Sequence, residues 1–306
     1  MAGHFIDAEG GDSLSVWEFK IGNWRPIYWL GLNYLRYAPG VWLKEYLRHG
    51  VVGHSPRHSE FTNCDGIHFN LDLFDCVQKA IFCFHYYEPE DVEAFRRFAR
   101  PGSVVFDVGA NVGQYSLLAS KLVGETGHVY AFEPSPDVLV KLQHHLEVNH
   151  ADNVLLTRKA VAECNGTASF YPANENSNQG VGSLLPAEEY RGKIRTEESI
   201  EVEVVTLDNF CEEHGIDHID LLKIDVEGYD LDVLKGAEKI LDRSPGIVVL
   251  AEVEPMNLVQ RGLTHADFVQ YMTERGFKAY YANIKGRLIA LVDDDASKPN
   301  LFFLRS

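Results

Sequence analysis

From about residue 100 the chain alternates short β-branched runs with helical stripes, the pattern of a parallel sheet whose strands are joined by crossover helices. Val104 to Val108 reads as a buried strand that runs into Gly109-Ala110-Asn111-Val112-Gly113. Tyr115, Leu118 and Leu122 then fall on one helical face, and Gly124 ends that helix. A second strand, Val129 to Phe132, meets Glu133-Pro134-Ser135-Pro136, where Ser135 is placed as N-cap and Pro136 as first helical residue. Leu139, Leu142 and Leu146 supply the apolar stripe of the helix that follows.

A third strand is expected near Val154 to Thr157, with Lys159 to Ala162 and Ala168 to Tyr171 extending it or pairing beside it. Regularity then fails. Pro172 to Ser199 is polar and too long for a simple connection, and reads as a functional lid or insertion. Strand signals return at Val202 to Val205, Leu221 to Ile224 and Ile247 to Val253, the last two separated by a helix carrying Leu234, Ala237 and Leu241. Thr264 and Asp267 form a capping-box pattern for a helix ending at Gly276. Strands near Lys278 to Tyr281 and Leu301 to Leu304 flank Asp293-Asp294-Asp295 and are expected to close a hairpin. No internal repeat is visible.

The first 60 residues differ in kind. All four tryptophans (Trp17, Trp24, Trp29, Trp42) lie there, and Lys20, Arg25, Arg36, Lys44 and Arg48 outnumber Glu18 and Glu45 between positions 17 and 50. An aromatic, basic segment of this sort suits a cap on the main domain, a homo-oligomer interface or an interfacial membrane helix. The expected division is therefore residues 1–60 as an extension and 61–306 as the main domain. The whole chain carries −17, which disfavours nucleic acid and anionic lipid as partners. Five cysteines without a C-x-x-C pair, no leader-like start and no apolar run near 18 residues point to a cytoplasmic chain without a transmembrane segment.

Chemistry concentrates where strands end. Asp107-x-Gly109-x-Asn111-x-Gly113 combines a tight turn with the amide-rich start of a helix, which favours an anionic group. The dinucleotide fingerprint would need glycine at 111 and 114, where this chain has Asn111 and Gln114, so the register fits a nicotinamide cofactor badly. Glu133 stands at the end of the second strand, where such folds use an acid to accept from ribose hydroxyls. Leu222-Lys223-Ile224-Asp225-Val226-Glu227-Gly228 brings two more carboxylates to the same sheet edge. The histidines show no zinc-site spacing, and neither a nucleophile elbow nor a P-loop is present.

Asp107 to Ser116 (DVGANVGQYS), Val129 to Pro134 (VYAFEP), Leu221 to Gly236 (LLKIDVEGYDLDVLKG) and the upstream stretch Leu71 to Pro89 together resemble the FkbM family of S-adenosylmethionine-dependent methyltransferases, from about residue 66 onward. The resemblance implies an α/β class I methyltransferase, a Rossmann-like sheet of seven strands with the last antiparallel, here carrying the N-terminal helical, aromatic-rich extension. It implies S-adenosylmethionine as cofactor and methyl transfer to a hydroxyl of a sugar, polyketide or related small molecule. Carried over by residue, Gly109, Asn111 and Gly113 shape the loop under the methionine part with Asp107 at its base, Glu133 holds the ribose, Ala160 and Val161 border the adenine, and Asp225 faces the methionine amino group. The family's serine-serine-leucine signature stands here as Val181-Gly182-Ser183-Leu184, with glycine for one serine.

For the acceptor proton the candidates are Glu252 first, then Glu227 and Glu254, with His85 as an outsider; Asp225 completes the catalytic set. No metal ligand set is assigned, although Asp225 and Glu252 on adjacent strands suit a divalent cation, which is not expected. Two rivals from other classes remain open: a nicotinamide-dependent oxidoreductase, and a catalytically inactive partner subunit of the same fold.

Overall fold

The computed structural model describes residues 57–173, 178–186, 195–292 and 295–305. The tryptophan-rich segment, with its cap or oligomer reading, lies outside the described residues, as do Asp293 and Asp294. The chain divides into two compact units, the first running to Pro89 and also taking in Asn178. That unit holds a hairpin of β1 (His58–Thr62) and β2 (His68–Asp72), so position 60 falls inside a strand. It continues into α1 (Cys76–Phe84), whose N-cap Asp75 accepts from the Gln78 amide and whose C-cap His85 is in the left-handed region; α2 (Pro89–Phe95) follows.

In the second unit the expected alternation is present. The elements β3 (Val104–Val108), α3 (Gln114–Val123), β4 (His128–Phe132), α4 (Pro136–Val148) and β5 (Val154–Thr157) form two successive crossovers. Next come β6 (Ala160–Val161), β7 (Gly166–Phe170), β8 (Ile200–Val205) and α5 (Leu207–His214). The chain returns to the main sheet with β9 (Leu221–Ile224), α6 (Asp230–Lys235), α7 (Glu238–Arg243) and β10 (Val248–Glu252). It closes through α8 (Pro255–Gln260), α9 (His265–Glu274), β11 (Phe277–Ala282), β12 (Leu288–Ala290) and β13 (Asn300–Arg305).

The main sheet has the order β12-β11-β13-β10-β9-β3-β4-β5. Neighbours from β5 through β10 are parallel, and β13 runs antiparallel to both β10 and β11. This is the seven-stranded class I pattern with one addition: β12, a short edge strand paired with β11 across a turn in which the Asn283 amide donates to Arg287 at 2.9 Å. The closing hairpin is thus corrected, since β11 turns first into β12 and only then pairs with β13. Strand order reverses between β3, which leads to β4, and β9, which leads to β10, and α/β sheets bind ligands at such a switch.

Two further expectations change. Ala160–Val161 and Gly166–Phe170 do not extend β5; they flank β8 in a separate three-stranded sheet, with Val161 opposite Val205 and Ala168 opposite Val202. The helix carrying Leu234, Ala237 and Leu241 is broken into α6 and α7 around Gly236, where a Cβ would stand 2.2 Å from the Ala162 carbonyl oxygen. The end of β6 therefore meets the α6–α7 junction through a backbone approach that only glycine allows. Packing follows the stripes. Leu142, Leu234, Leu241, Val249 and Phe303 are fully buried, and Phe106, Phe132 and Phe210 form an aromatic cluster beneath the switch. Ser135 is the N-cap of α4, with Pro136 behind it, and the Thr264–Asp267 capping box opens α9. Among the described residues, no helix is long and apolar enough to cross a membrane.

Candidate functional site

β3, β4, β9 and β10 end together, and carboxylates at or next to their ends make one acidic rim. Asp107 is almost fully buried near the end of β3; its Oδ2 accepts from Ser116 Oγ of α3 at 2.6 Å. The chain leaves β3 through Gly109 at φ +77°, where a Cβ would stand 1.8 Å from the Asp225 carbonyl oxygen. That contact is main chain against main chain, so the turn after β3 and the turn after β9 pass each other only because residue 109 lacks a side chain. Asn111 has φ +50°, a left-handed conformation that asparagine tolerates. Gly113, at φ +92°, caps α3, and a Cβ there would stand 2.5 Å from Leu142 Cδ1.

Glu133 closes this turn from the β4 side. Its two carboxylate oxygens accept from the Asn111 and Ser135 amides, each at 2.9 Å, so one side chain ties the glycine turn to the start of α4. Ser135 itself makes no side-chain cap hydrogen bond. Burial pushes the Glu133 carboxyl up to about 7, against the opposing pull of those two amides and Lys223.

Lys223 is the functional-looking residue that sequence reasoning left without a role. It stands opposite Asp107 in the β9–β3 register and is 5% exposed. Its Nζ donates to the Gly109 carbonyl at 2.7 Å and lies 3.4 Å from Asp107 Oδ1 and 3.6 Å from Asp225 Oδ2. Burial alone would lower its pKa; Asp225 and Asp107 outweigh burial and raise it. The available signal was a lone lysine inside the otherwise apolar Leu221–Ile224 strand, a placement that needs paired charge.

The rim continues through Asp225, whose side chain is 43% exposed, to Glu227 in the left-handed region at φ +55°. Buried Asp230 shapes the intervening loop by accepting from the Val226 and Gly228 amides at 3.2 and 3.1 Å. Burial first, and then the Asp225 charge, push Asp230 up to about 7. Glu227 Oε2 accepts from Asn257 Nδ2 at 3.1 Å and lies 3.5 Å from Arg195 Nη2, while its carbonyl accepts from Ser183 Oγ at 2.8 Å. Arg195 is itself buried and donates to the Val181 carbonyl at 2.6 Å. The described parts of the 172–199 insertion are therefore latched to the loop after β9. Gly182, standing for a serine of the family signature, faces Phe170, whose Cζ would lie 2.6 Å from a Cβ.

Glu252 ends β10 opposite Asn300, and one oxygen each from Asp225, Glu227 and Glu252 lie within 4.8 Å of one another. The structure thus brings Asp107, Gly109, Asn111, Gly113, Glu133, Asp225, Glu227 and Glu252 to a single edge. Ala160 and Val161 lie instead in the β6–β8 ladder, both buried. Glu254 is withdrawn as a proton acceptor, because its carboxylate caps α8 by accepting from the Met256 amide at 3.3 Å. His85 belongs to the first compact unit.

Residues 107–279, which contain the glycine turn, Glu133, the Asp225–Glu227 loop and Glu252, match the methyltransferase FkbM domain family. The chain belongs to that family. Among curated relatives it is 26% identical over 152 residues to the 2-O-methyltransferase NoeI of Sinorhizobium fredii, covering 47% of this chain and 61% of that protein. It is 27% identical over 164 residues to the hexuronic acid methyltransferase AglP of Haloferax volcanii, covering 53% and 62%. With the 31-O-demethyl-FK506 methyltransferase FkbM of Streptomyces tacrolimicus it shares 31% over 192 residues, covering 56% and 71%. The chain spans about three-fifths of the length of the first two relatives.

Proposed function

We propose that this FkbM-family protein is an S-adenosylmethionine-dependent methyltransferase that methylates a hydroxyl oxygen of a sugar, polyketide or related small molecule by in-line displacement. The observation that carries the reading is the glycine turn seated on the Asp225 backbone with Glu133 closing it, at the point where strand order reverses. The names of the relatives, which specify 2-O and 31-O positions and a hexuronic acid, support an oxygen acceptor on a small molecule. Five free cysteines support a reducing, cytoplasmic setting.

The residues present fit the donor. Asp225 offers a half-exposed carboxylate to an α-ammonium group, and each Glu133 oxygen keeps a second lone pair for a ribose hydroxyl beyond the amide it accepts. Gly109, Asn111 and Gly113 keep side-chain bulk away from the turn under the methionine part, Asp107 braces that turn from below, and Ala160 and Val161 are assigned to the adenine border. When bound, S-adenosylmethionine supplies an electrophilic methyl on a sulfonium cation.

The protein's own contribution is alignment and proton removal. Holding the acceptor oxygen in line is worth about 7–11 kcal/mol in favourable cases. Glu252 is assigned as the base that takes the acceptor proton, a role worth about 10²–10⁴-fold. Glu227, held by Arg195 and Asn257, positions the acceptor-side wall. The reading assigns no resident metal; the oxygens of Asp225, Glu227 and Glu252 are chemically suited to Mg²⁺, and activity lost in EDTA and restored by Mg²⁺ would add one.

The test is calorimetric titration with S-adenosylhomocysteine, beside NADH, of the wild type and Glu133→Ala. Micromolar binding of S-adenosylhomocysteine, lost in the variant, is the expected result. Binding of NADH alone, or of neither, overturns the reading.

A further inference from the structure

We propose that Lys223 is a positioning residue of the donor site, a buried ammonium that locks the Gly109 turn to the Asp225 loop; the proposal rests on the methyltransferase reading above. The surrounding strand has no packing reason for a charge at this position. Residues 221, 222 and 224 of β9 are apolar and buried, and Lys223 lies between Asp107 of β3 and Leu250 of β10 in register. Burying an ammonium is costly, and an apolar side chain of similar volume commonly serves a core as well or better.

What the lysine does instead is bring together one oxygen from β3 and one from each of the turns after β3 and β9. Nζ donates to Gly109 O at 2.7 Å and is ion-paired with Asp107 Oδ1 at 3.4 Å and Asp225 Oδ2 at 3.6 Å. The acceptor is the carbonyl of the very glycine that packs against the Asp225 carbonyl, and one ion-pair partner is the Asp225 carboxylate itself. The Tyr115 ring, 5.7 Å from Nζ at the start of α3, closes the remaining side. Backbone bonds from Gly109 to Phe132 and from Asp225 to Val108, each 3.0 Å, tie each turn to a neighbouring strand, while Lys223 links the two turns to each other. It also offsets Asp107, which leaves Asp225 as the carboxylate of this trio that is open to solvent.

The deciding experiment compares wild type, Lys223→Met and Lys223→Arg in three measurements: thermal unfolding, amide hydrogen exchange of the ligand-free protein at Gly109 and Asp225, and calorimetry with S-adenosylhomocysteine. Expected for a folded Lys223→Met are exchange at least about tenfold faster at both amides and an affinity at least about thirtyfold weaker. A lysine with only a structural role would shift the melting temperature and leave the affinity of the folded protein unchanged. Lys223→Met binding within threefold of wild type, with unchanged exchange, overturns the proposal and leaves the methyltransferase reading standing. A wild type that does not bind S-adenosylhomocysteine overturns both. If Lys223→Met does not fold, Lys223→Arg decides: retained binding supports a required cation, and binding lost in a folded Lys223→Arg overturns it.

Discussion

On the side of the rim formed by β3 and β4, nearly every restraint is main chain. Gly109 passes under the Asp225 carbonyl, and Glu133 is held by two backbone amides within 22 residues of it. On the side formed by the loop after β9, Glu227 is held by the side chains of Arg195, Asn257 and Ser183, between 30 and 44 residues away. At Gly109 that restraint tolerates almost no substitution, because the geometry is lost with a single Cβ. Side-chain restraint can be exchanged one partner at a time. In the proposed function the first kind lies on the donor side and the second on the acceptor side.

That contrast can be broken by substitution, and the largest effect is expected in turnover. Glu252→Gln should lower the turnover of a hydroxylated acceptor by about 10²–10⁴-fold while S-adenosylhomocysteine affinity stays within about twofold of wild type. Unchanged turnover would remove Glu252 from its role. Next, Gly109→Ala combines left-handed strain with a backbone overlap and should cost about 2–5 kcal/mol of stability, with donor binding lost, as read by thermal unfolding and calorimetry. An alanine variant that still binds would mean the two turns can separate.

Arg195→Met attacks the other side of the comparison. Losing the buried guanidinium should cost about 2 kcal/mol, below the usual range for a buried pair because Glu227 keeps some solvent contact, and should spare S-adenosylhomocysteine affinity. An equal loss of donor affinity would show that the two sides are not separable. A pH effect comes next in size. Asp91, Glu133 and Asp230 are each pushed up to about 7, first by burial, so the folded protein holds more protons than the unfolded chain between the ordinary carboxyl range and pH 7. Their stabilising contribution is therefore present at the acid end of that window and lost as pH rises towards 7, which should lower the melting temperature by several degrees from pH 5 to 7.5. Ribose hydroxyls donating to ionised Glu133 should then make S-adenosylhomocysteine binding release protons near pH 7, measurable by calorimetry in buffers of different ionisation enthalpy. The smallest effect is expected from Gly182→Ser, which restores the family residue but meets Phe170 and should cost about 1 kcal/mol.

The same division explains what could be read from the amino acids alone. Asp107 to Gly113, Glu133 and Asp225 to Gly228 sit at strand ends inside short local patterns, so their meeting at one edge follows from the parallel topology. Arg195 lies in a polar stretch with no periodicity, and nothing in its neighbours indicates that it is buried against Glu227. Lys223 was visible as an oddity, but its partners come from different strands and a register that only the folded sheet supplies. Glu254 was misjudged for the opposite reason: a carboxylate just before Pro255 is a helix cap first, and the capping geometry outranks its nearness to the rim. The strands beside β5 were misassigned because a two-residue strand such as Ala160–Val161 pairs wherever a partner is available, and β8 arrives only forty residues later.

The insertion that carries Arg195 joins β7 to β8, two antiparallel neighbours of the small sheet, so its ends are already held side by side by backbone pairing. Lengthening or recasting it leaves every strand of the main sheet in register, and the entropic cost of a longer closed loop grows only slowly with length. The fold thus has a place where the chain beside Glu227 can be rebuilt while the strands and turns beneath it keep their pairing.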